Sequence, residues 1–431
     1  MKNVWFGVLV FVCAIPCLAG PADKGRGTNG LVSVDDVNRS LGLPLWDGTN
    51  LWESSDTAVA ARLGAQIESK TPKESTYSAK PPFVFGAKPE VLKLAGKDGK
   101  VASLLIMYAN KGDTLAVRPP GYEQAPAKDR RAAVKDFEKR DASLDKTIRT
   151  QADDVENALA LLFGKYERTQ FGQGNKTTEH VKAWYWNGHA FLLSEQRDTG
   201  LSLRIVPFDA AEKKGRGERI QGDDLKSALA NNVLQRDNGD VVVTGIPMID
   251  QGQKGYCVPA TWARYMRYMG IDVDEYVLAN AAGTQKGGGT TLDAMVAAAG
   301  AVVRRNGRAI KEINGPIKIN TIARSIDSGL PLMWSMQAVG PFLGTGRPAN
   351  RMGDQSPGAG KASSELAEAR RQARRLAGST ENRHMCMIIG YNPDTEEVAT
   401  SDSWGAAHAE KWYTLDEVQA VSAGKLYYIK W

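Results

Sequence analysis

The spacing of apolar positions changes character near residue 240. Before it, apolar residues gather around Ala58, Leu63 and Ile67 and around Val155, Leu159, Leu162 and Phe163, each at helical spacing. An extended stretch follows each group: "FVFGAKPEVLKLAGKDGKVASLLIMYAN" after the first and "VKAWYWNGHAFLLSEQRDTGLSLRIVPF" after the second. Each predicts three short strands, with turns at "GAKP" and "GKDGK" or at "NG" and "RDTG", because Gly, Asn and Asp accept the backbone that tight turns demand. Helix followed by meander, met twice, reads as a duplicated unit. Between the halves, residues 118–148 carry Pro and Gly and then alternating charge, the pattern of a linker or an exposed helix.

After residue 240 the order is turn, cysteine, helix. Trp262, Tyr265, Met266 and Met269 recur at i, i+3, i+4 and i+7, and Gly270 ends the run. Pro259 suits the first helical turn, where its missing N–H costs nothing. Further on, "HMCMIIGYN" reads as a buried strand, "NPDTEE" as a turn and "VATSDSW" as the returning strand. The expected fold class is α+β, with an N-terminal region over 41–235 and a second domain over 245–431. Residues 20–40, rich in Gly, Lys and Asp, read as a flexible lead.

Composition adds export. The chain has 431 residues, 42% hydrophobic and 24% charged, enough for two or three cores and against disorder. Its first residues, "MKNVWFGVLVFVCAIPCLAG", combine a basic start, an apolar run from Val4 to Ile15 and small residues around Ala19, the pattern of a signal peptide over 1–19. The expected location is therefore secreted or periplasmic; a lipoprotein cut before Cys17 is disfavoured by Pro16. No later apolar run approaches the length of a membrane span.

Cleavage would leave two of the four cysteines, Cys257 and Cys386. That is no disulfide scaffold, although a single bridge between them is an alternative. The formal charge of +6 is uneven: eight Lys/Arg against four Asp/Glu fall within 338–383. A solvated basic helix explains them, and nothing aromatic beyond Phe342 interleaves to favour nucleic acid. His180 and His189 are too plain in setting for a metal pair, His189 reading as a hairpin residue. With no HExxH and no paired CxxC, neither a metal nor another cofactor is expected.

The chemistry gathers around Cys257. At a helix start the dipole favours thiolate over thiol, and the thiolate is the nucleophile. A thiolate needs a base and the base an orienting group. Only His384 and His408 follow, and the hairpin sets Asp402, 18 residues after His384, beside it. Cys386, two residues on, lies on the same strand face as His384 and reads either as a small buried hydrophobe or as a redox partner of Cys257.

"QGQKGYC", "HMCMIIGY" and "SDSWG" resemble the three active-site blocks of papain-like cysteine peptidases. "IPMIDQ…YCVPA" is most similar to bacterial peptidase domains of the kind that cut bacteriocin leaders after a double glycine. The resemblance covers residues 245–431 and implies roles: Cys257 as nucleophile, His384 as its ion-pair partner and proton donor, Asp402 as orienter, and Gln251 with the Cys257 N–H as oxyanion donors. It also implies that Trp404 covers the His384–Asp402 pair and that Gly288 and Gly289, in a glycine-containing segment, let substrate backbone approach. The chain departs from the pattern at Val258, in the 338–383 insertion before His384, and in lacking the disulfides of secreted relatives. That insertion is expected to act as a flap beside the cleft.

The function expected is peptide-bond hydrolysis through a thioester acyl-enzyme, with a peptide or protein as substrate, no nucleic acid and no membrane span. Transglutaminase-like or deamidase acyl transfer uses the same residues, and a peptide-binding module on a peptidase fold is a further alternative. Oligomeric state, substrate preference and the role of residues 20–235 are not legible.

Overall fold

The computed structural model describes residues 32–48, 50–115, 125–196, 199–217, 219–252, 255–284, 289–339, 346–348, 363–377 and 383–431. The proposed signal segment, Gly288 and much of the 338–383 insertion lie outside them. Helices and antiparallel sheets make the chain α+β.

The N-terminal region runs α1 (Val34–Leu41), α2 (Asp56–Arg62), β1 (Gln66–Lys70), β2 (Glu74–Ala79), β3 (Val91–Lys97), β4 (Lys100–Asn110), α3 (Lys111–Thr114), α4 (Ala127–Phe163), β5 (Glu167–Phe171), β6 (Glu179–Trp186), β7 (His189–Gln196), β8 (Gly200–Pro207), α5 (Phe208–Glu212) and α6 (Gly222–Ala230). Its strands form one sheet in the order β1-β2-β3-β4-β8-β7-β6-β5, two meanders joined where β4 pairs β8. Each meander holds four strands: the second stretch carries the three expected, β6, β7 and β8, with β5 before it, whereas the first carries two, β3 and β4. Ile67, read with a helix, sits in β1 at 53% exposure, and β1 and β2 precede the stretch in which strands were sought. Asp98–Gly99 and Asn187–Gly188, all at positive φ, close the β3–β4 and β6–β7 hairpins. Paired positive φ is what a two-residue turn matching strand twist requires.

Residues 34–41 correct the expectation of a flexible lead. Ser33 and Asp36 form a capping box, and Val37 and Leu41 are buried. The C-terminal half of α4 buries Ile148, Ala152, Val155 and Leu159. These side chains join Trp184, Phe191 and Leu203 of the sheet in one core.

The C-terminal region comprises β9 (Val233–Gln235), β10 (Val241–Val243), α7 (Cys257–Tyr268), α8 (Glu275–Ala281), α9 (Leu292–Arg305), β11 (Ala309–Asn314), α10 (Ile319–Ile326), β12 (Leu332–Gln337), α11 (Ser363–Arg375), β13 (Arg383–Asn392), β14 (Glu397–Ser401), β15 (Lys411–Thr414), α12 (Leu415–Val421) and β16 (Ser422–Lys430). Its sheet runs β11-β16-β12-β13-β10-β9, with β14 branching from β13 and β15 from β14. Helix α7 is buried on nearly every side, and its Trp262, Tyr265, Met266 and Met269 belong to the core beneath the sheet. Leu225 and Leu229 of α6 join this core as well. Among the described residues no helix is long and apolar enough to cross a membrane.

Candidate active site

Cys257 is the first residue of α7, and no side chain caps that helix. Pro259 cannot donate, and the dipole of a 12-residue helix is directed at the sulfur's end. Cys257 is 7% exposed. Its helix is tied to the strands that carry the other groups. Thr261, one turn on, donates its hydroxyl to the carbonyl of Met385 at 3.0 Å, the residue after His384. Arg264, two turns on, donates from Nε to Pro247 O at 2.9 Å and from Nη2 to Ser401 Oγ at 2.5 Å.

His384, the second residue of β13, lies opposite Met336 of β12 and is buried. The β13–β14 hairpin sets Ser401 opposite Met387, so Asp402, just beyond β14, reaches back to the imidazole. Nε2 of His384 lies 2.9 and 2.8 Å from the two Asp402 carboxylate oxygens. That leaves Nδ1 as the ring nitrogen for the Cys257 side chain, which is within hydrogen-bonding reach of the imidazole. Burial opposes the charge on His384, but the Asp402 carboxylate and the bonds to Asp402 and Cys257 overcome it, raising its pKa to about 10. The Asp402 charge thus favours the imidazolium form of the ring.

Trp404 stacks on that ring, with centroids 4.4 Å apart and planes 25° apart. Gln251 is joined to the same corner by Ser403. Its N–H donates to Ser403 O at 2.8 Å, and Ser403 Oγ donates to Gln251 Oε1 at 2.6 Å. The Ser403 N–H in turn donates to Asp402 Oδ1 at 2.7 Å. With its carbonyl on Ser403, the Gln251 side chain has its N–H donors as the other polar end. Gly289 runs beside Gly255, two residues before Cys257, close enough that a Cβ on Gly255 would stand 3.4 Å from the Gly289 Cα.

Cys386 is 2% exposed, and burial pushes its thiol well above the usual range, with the Asp402 charge adding to the effect. Both cysteines are free, so the alternative of a bridge between them does not hold. His189 lies far from this corner, in the β6–β7 hairpin, its Nε2 accepting from Trp46 Nε1 at 3.0 Å. Among the described residues no group of His, Cys, Asp and Glu could hold a metal ion.

Three residues of this corner escaped the sequence. Thr261 and Arg264 lie within a helix read only for its apolar stripe, and Ser403 lay inside a motif read for its neighbours. A buried Arg264 is the one with a recoverable signal, a charge in the middle of a helix that is otherwise rich in apolar residues. Helix burial forces its pKa down to about 10 against the attraction of Asp402, still well above neutrality.

No curated protein matches the chain. Residues 243–430 match the family model described as the Peptidase_C39 like family, and this part of the chain is a papain-like cysteine peptidase-like domain.

Proposed function

We propose that the protein hydrolyses peptide bonds with Cys257 as nucleophile, His384 as acid and base, Asp402 as orienter and Gln251 as oxyanion donor. The observation that carries this is the setting of His384: Nε2 is held by the Asp402 carboxylate, and the Cys257 side chain acts on the same imidazole. The Cys257 thiolate attacks the carbonyl carbon, and the oxygen that becomes negative is met by the Gln251 amide and the Cys257 N–H. Loss of such a donor typically costs about 3 kcal/mol. His384 gives its proton to the leaving amine as the C–N bond breaks, leaving a thioester. Water, losing a proton to His384, then attacks the thioester and releases the acid and Cys257. Trp404, stacked on the imidazole, supports this reading by keeping water off the ion pair. Residues 1–19 act as an export signal in this proposal, removed before the enzyme works.

The test is mass spectrometry of the purified mature protein treated with a thiol-trapping peptide electrophile. One adduct, on Cys257, is expected, with a chain beginning near residue 20. No adduct on Cys257 sinks the enzymatic reading and favours a peptide-binding module. Incubation of substrate with an amine acceptor separates hydrolysis from acyl transfer: the free acid supports the proposal, a new amide or a deamidated side chain the transferase or deamidase.

A further inference from the structure

The segment from β10 to α7 carries Gln251 and delivers Cys257, and it is held from two sides. The peptidase-like side supplies Ser403, through the Gln251 N–H, and Arg264, through the Pro247 carbonyl. The other fixings come from the N-terminal sheet. The Met248 N–H donates to Ser69 Oγ at 2.8 Å, and the Asp250 N–H to Glu68 Oε1 at 3.0 Å. Tyr256, the residue before Cys257, donates its hydroxyl to Asn110 Oδ1 at 2.7 Å.

Glu68 and Ser69 are neighbours on β1, the edge strand of that sheet. Neighbouring side chains on a regular strand face opposite ways. Here the β1–β2 register shifts between Ile67 and Ser69, and such a bulge re-aims side chains, so both can serve the same passing segment. Glu68 is held in turn by Lys93 of β3, whose Nζ lies 3.2 Å from Glu68 Oε1 and 2.7 Å from Glu275 Oε1 on α8. Further pairs join that sheet to the helices of the C-terminal region, Arg204 of β8 to Asp274 at the start of α8 at 2.6 Å and Arg267 of α7 to Glu74 of β2 at 3.2 Å. A removable pro-segment would take these fixings away with it.

We infer that the N-terminal sheet is a working part of the active site, in which Glu68, Ser69 and Asn110 are positioning residues that hold the Gln251 segment and the start of α7. The inference rests on the reading of Gln251 as oxyanion donor. It assigns a role to residues 41–235 that keeps them in the working enzyme. A donor displaced by about 1 Å loses transition-state contact before it loses substrate, so the effect falls on turnover.

The experiment uses full-length Ser69→Ala, Ser69→Thr and the double variant Glu68→Leu/Ser69→Ala. Peptide turnover, Cys257 alkylation by iodoacetamide and hydrogen exchange of residues 247–252 are each measured. Alkylation needs the thiolate but no oxyanion donor. Expected for Ser69→Ala and the double variant are a loss of kcat of about tenfold to a hundredfold, KM within about twofold, unchanged alkylation and faster exchange over 247–252. Ser69→Thr, which keeps the hydroxyl, should restore kcat and protection. Parent-like kcat and exchange in the double variant overturn the inference. Should the double variant not fold, Ser69→Ala decides in the same way. Should the parent show no turnover, it is the peptidase reading that fails, and exchange over 247–252 alone decides the brace: loss of protection supports it, retained protection overturns it.

Discussion

Arg264 and Ser401 meet at 2.5 Å through Nη2 and Oγ, joining the helix that begins at Cys257 to the strand that ends one residue before Asp402. Arg264 is 1% exposed, and a charge taken so far out of water is retained only where its bonds compensate. Replacing it by Met would strand the Pro247 carbonyl and Ser401 together. We expect Arg264→Met to cost about 2–5 kcal/mol in urea unfolding, the cost of two buried acceptors left unpaired, with Arg264→Lys falling between, since an ammonium cannot span both acceptors. Parent-like stability of Arg264→Met would mean that the tether is idle.

Asp402 sets the proton on His384. Removing its charge while keeping its shape, as Asp402→Asn, should pull the alkaline limb of kcat/KM down by about 1–3 pH units, because an adjacent opposite charge shifts a pKa by that much. Fold and considerable activity should remain, whereas His384→Ala should lose about a thousandfold or more. The sign for stability follows from a folded pKa raised to about 10: the contribution of His384 is whole below about pH 6.5 and is lost as pH rises through 10. A pH–rate profile unchanged by Asp402→Asn would remove Asp402 from this role.

Cys257 and Cys386 should part company under alkylation. Near pH 6.5, iodoacetamide is expected to label Cys257 at least about tenfold faster, since only a thiolate reacts and burial holds Cys386 as a thiol. Peptide mapping after a short exposure reads the ratio. Equal labelling in the folded protein would undo the assignment of nucleophile.

The sequence made Cys257, His384, Asp402 and Gln251 legible because each stands at the edge of a local pattern, a helix start, a strand start or a turn. What it could not supply was partners across the chain. Thr261 bonds Met385, and Arg264 bonds Ser401 137 residues away, contacts that depend on how α7 lies on the sheet. Glu68 and Ser69 carry no signal of their own in the sequence, since a bulge exists only once β1 has paired with β2. Ile67 misled for a related reason, an apolar residue exposed on an edge strand that happened to continue the spacing of α2.

The insertion before His384 invites a different expectation from the flap read from its length. Its helix α11 lies against the core with Ala369 fully buried and Leu366 and Leu376 packed beside it, while Gln337 donates to the Leu376 carbonyl at 3.1 Å. A helix fixed in this way supports α12 and the sheet. Ala369→Asp should therefore cost about 3 kcal/mol in urea unfolding, as an unpaired buried carboxylate does. A stable variant with altered access of large peptides would favour the flap instead.

His189 gives the N-terminal region a pH dependence opposite in sense to that of His384. Its ring is enclosed by Trp46, Trp52 and Trp186, with centroids 5.3, 4.9 and 5.6 Å away. Nδ1 lies 2.7 Å from the Asn187 carbonyl and donates to it, so Nε2 is left as the acceptor for Trp46 Nε1 at 3.0 Å. A second proton would set two donors against each other in an apolar cage, and burial accordingly lowers the pKa, the bonds to Asn187 and Trp186 only partly opposing it. For a group held neutral in the fold, the stabilising contribution is present above about pH 6.5 and is lost as pH falls below that value, where the unfolded chain takes up the proton first. Urea unfolding followed by tryptophan fluorescence should show the N-terminal region weakening from about pH 7 to pH 5. His189→Leu should lower stability at neutral pH by about 1–3 kcal/mol, the cost of a buried indole N–H without its acceptor, and should flatten the acid limb. An acid limb as steep in His189→Leu as in the parent would assign the effect to other groups.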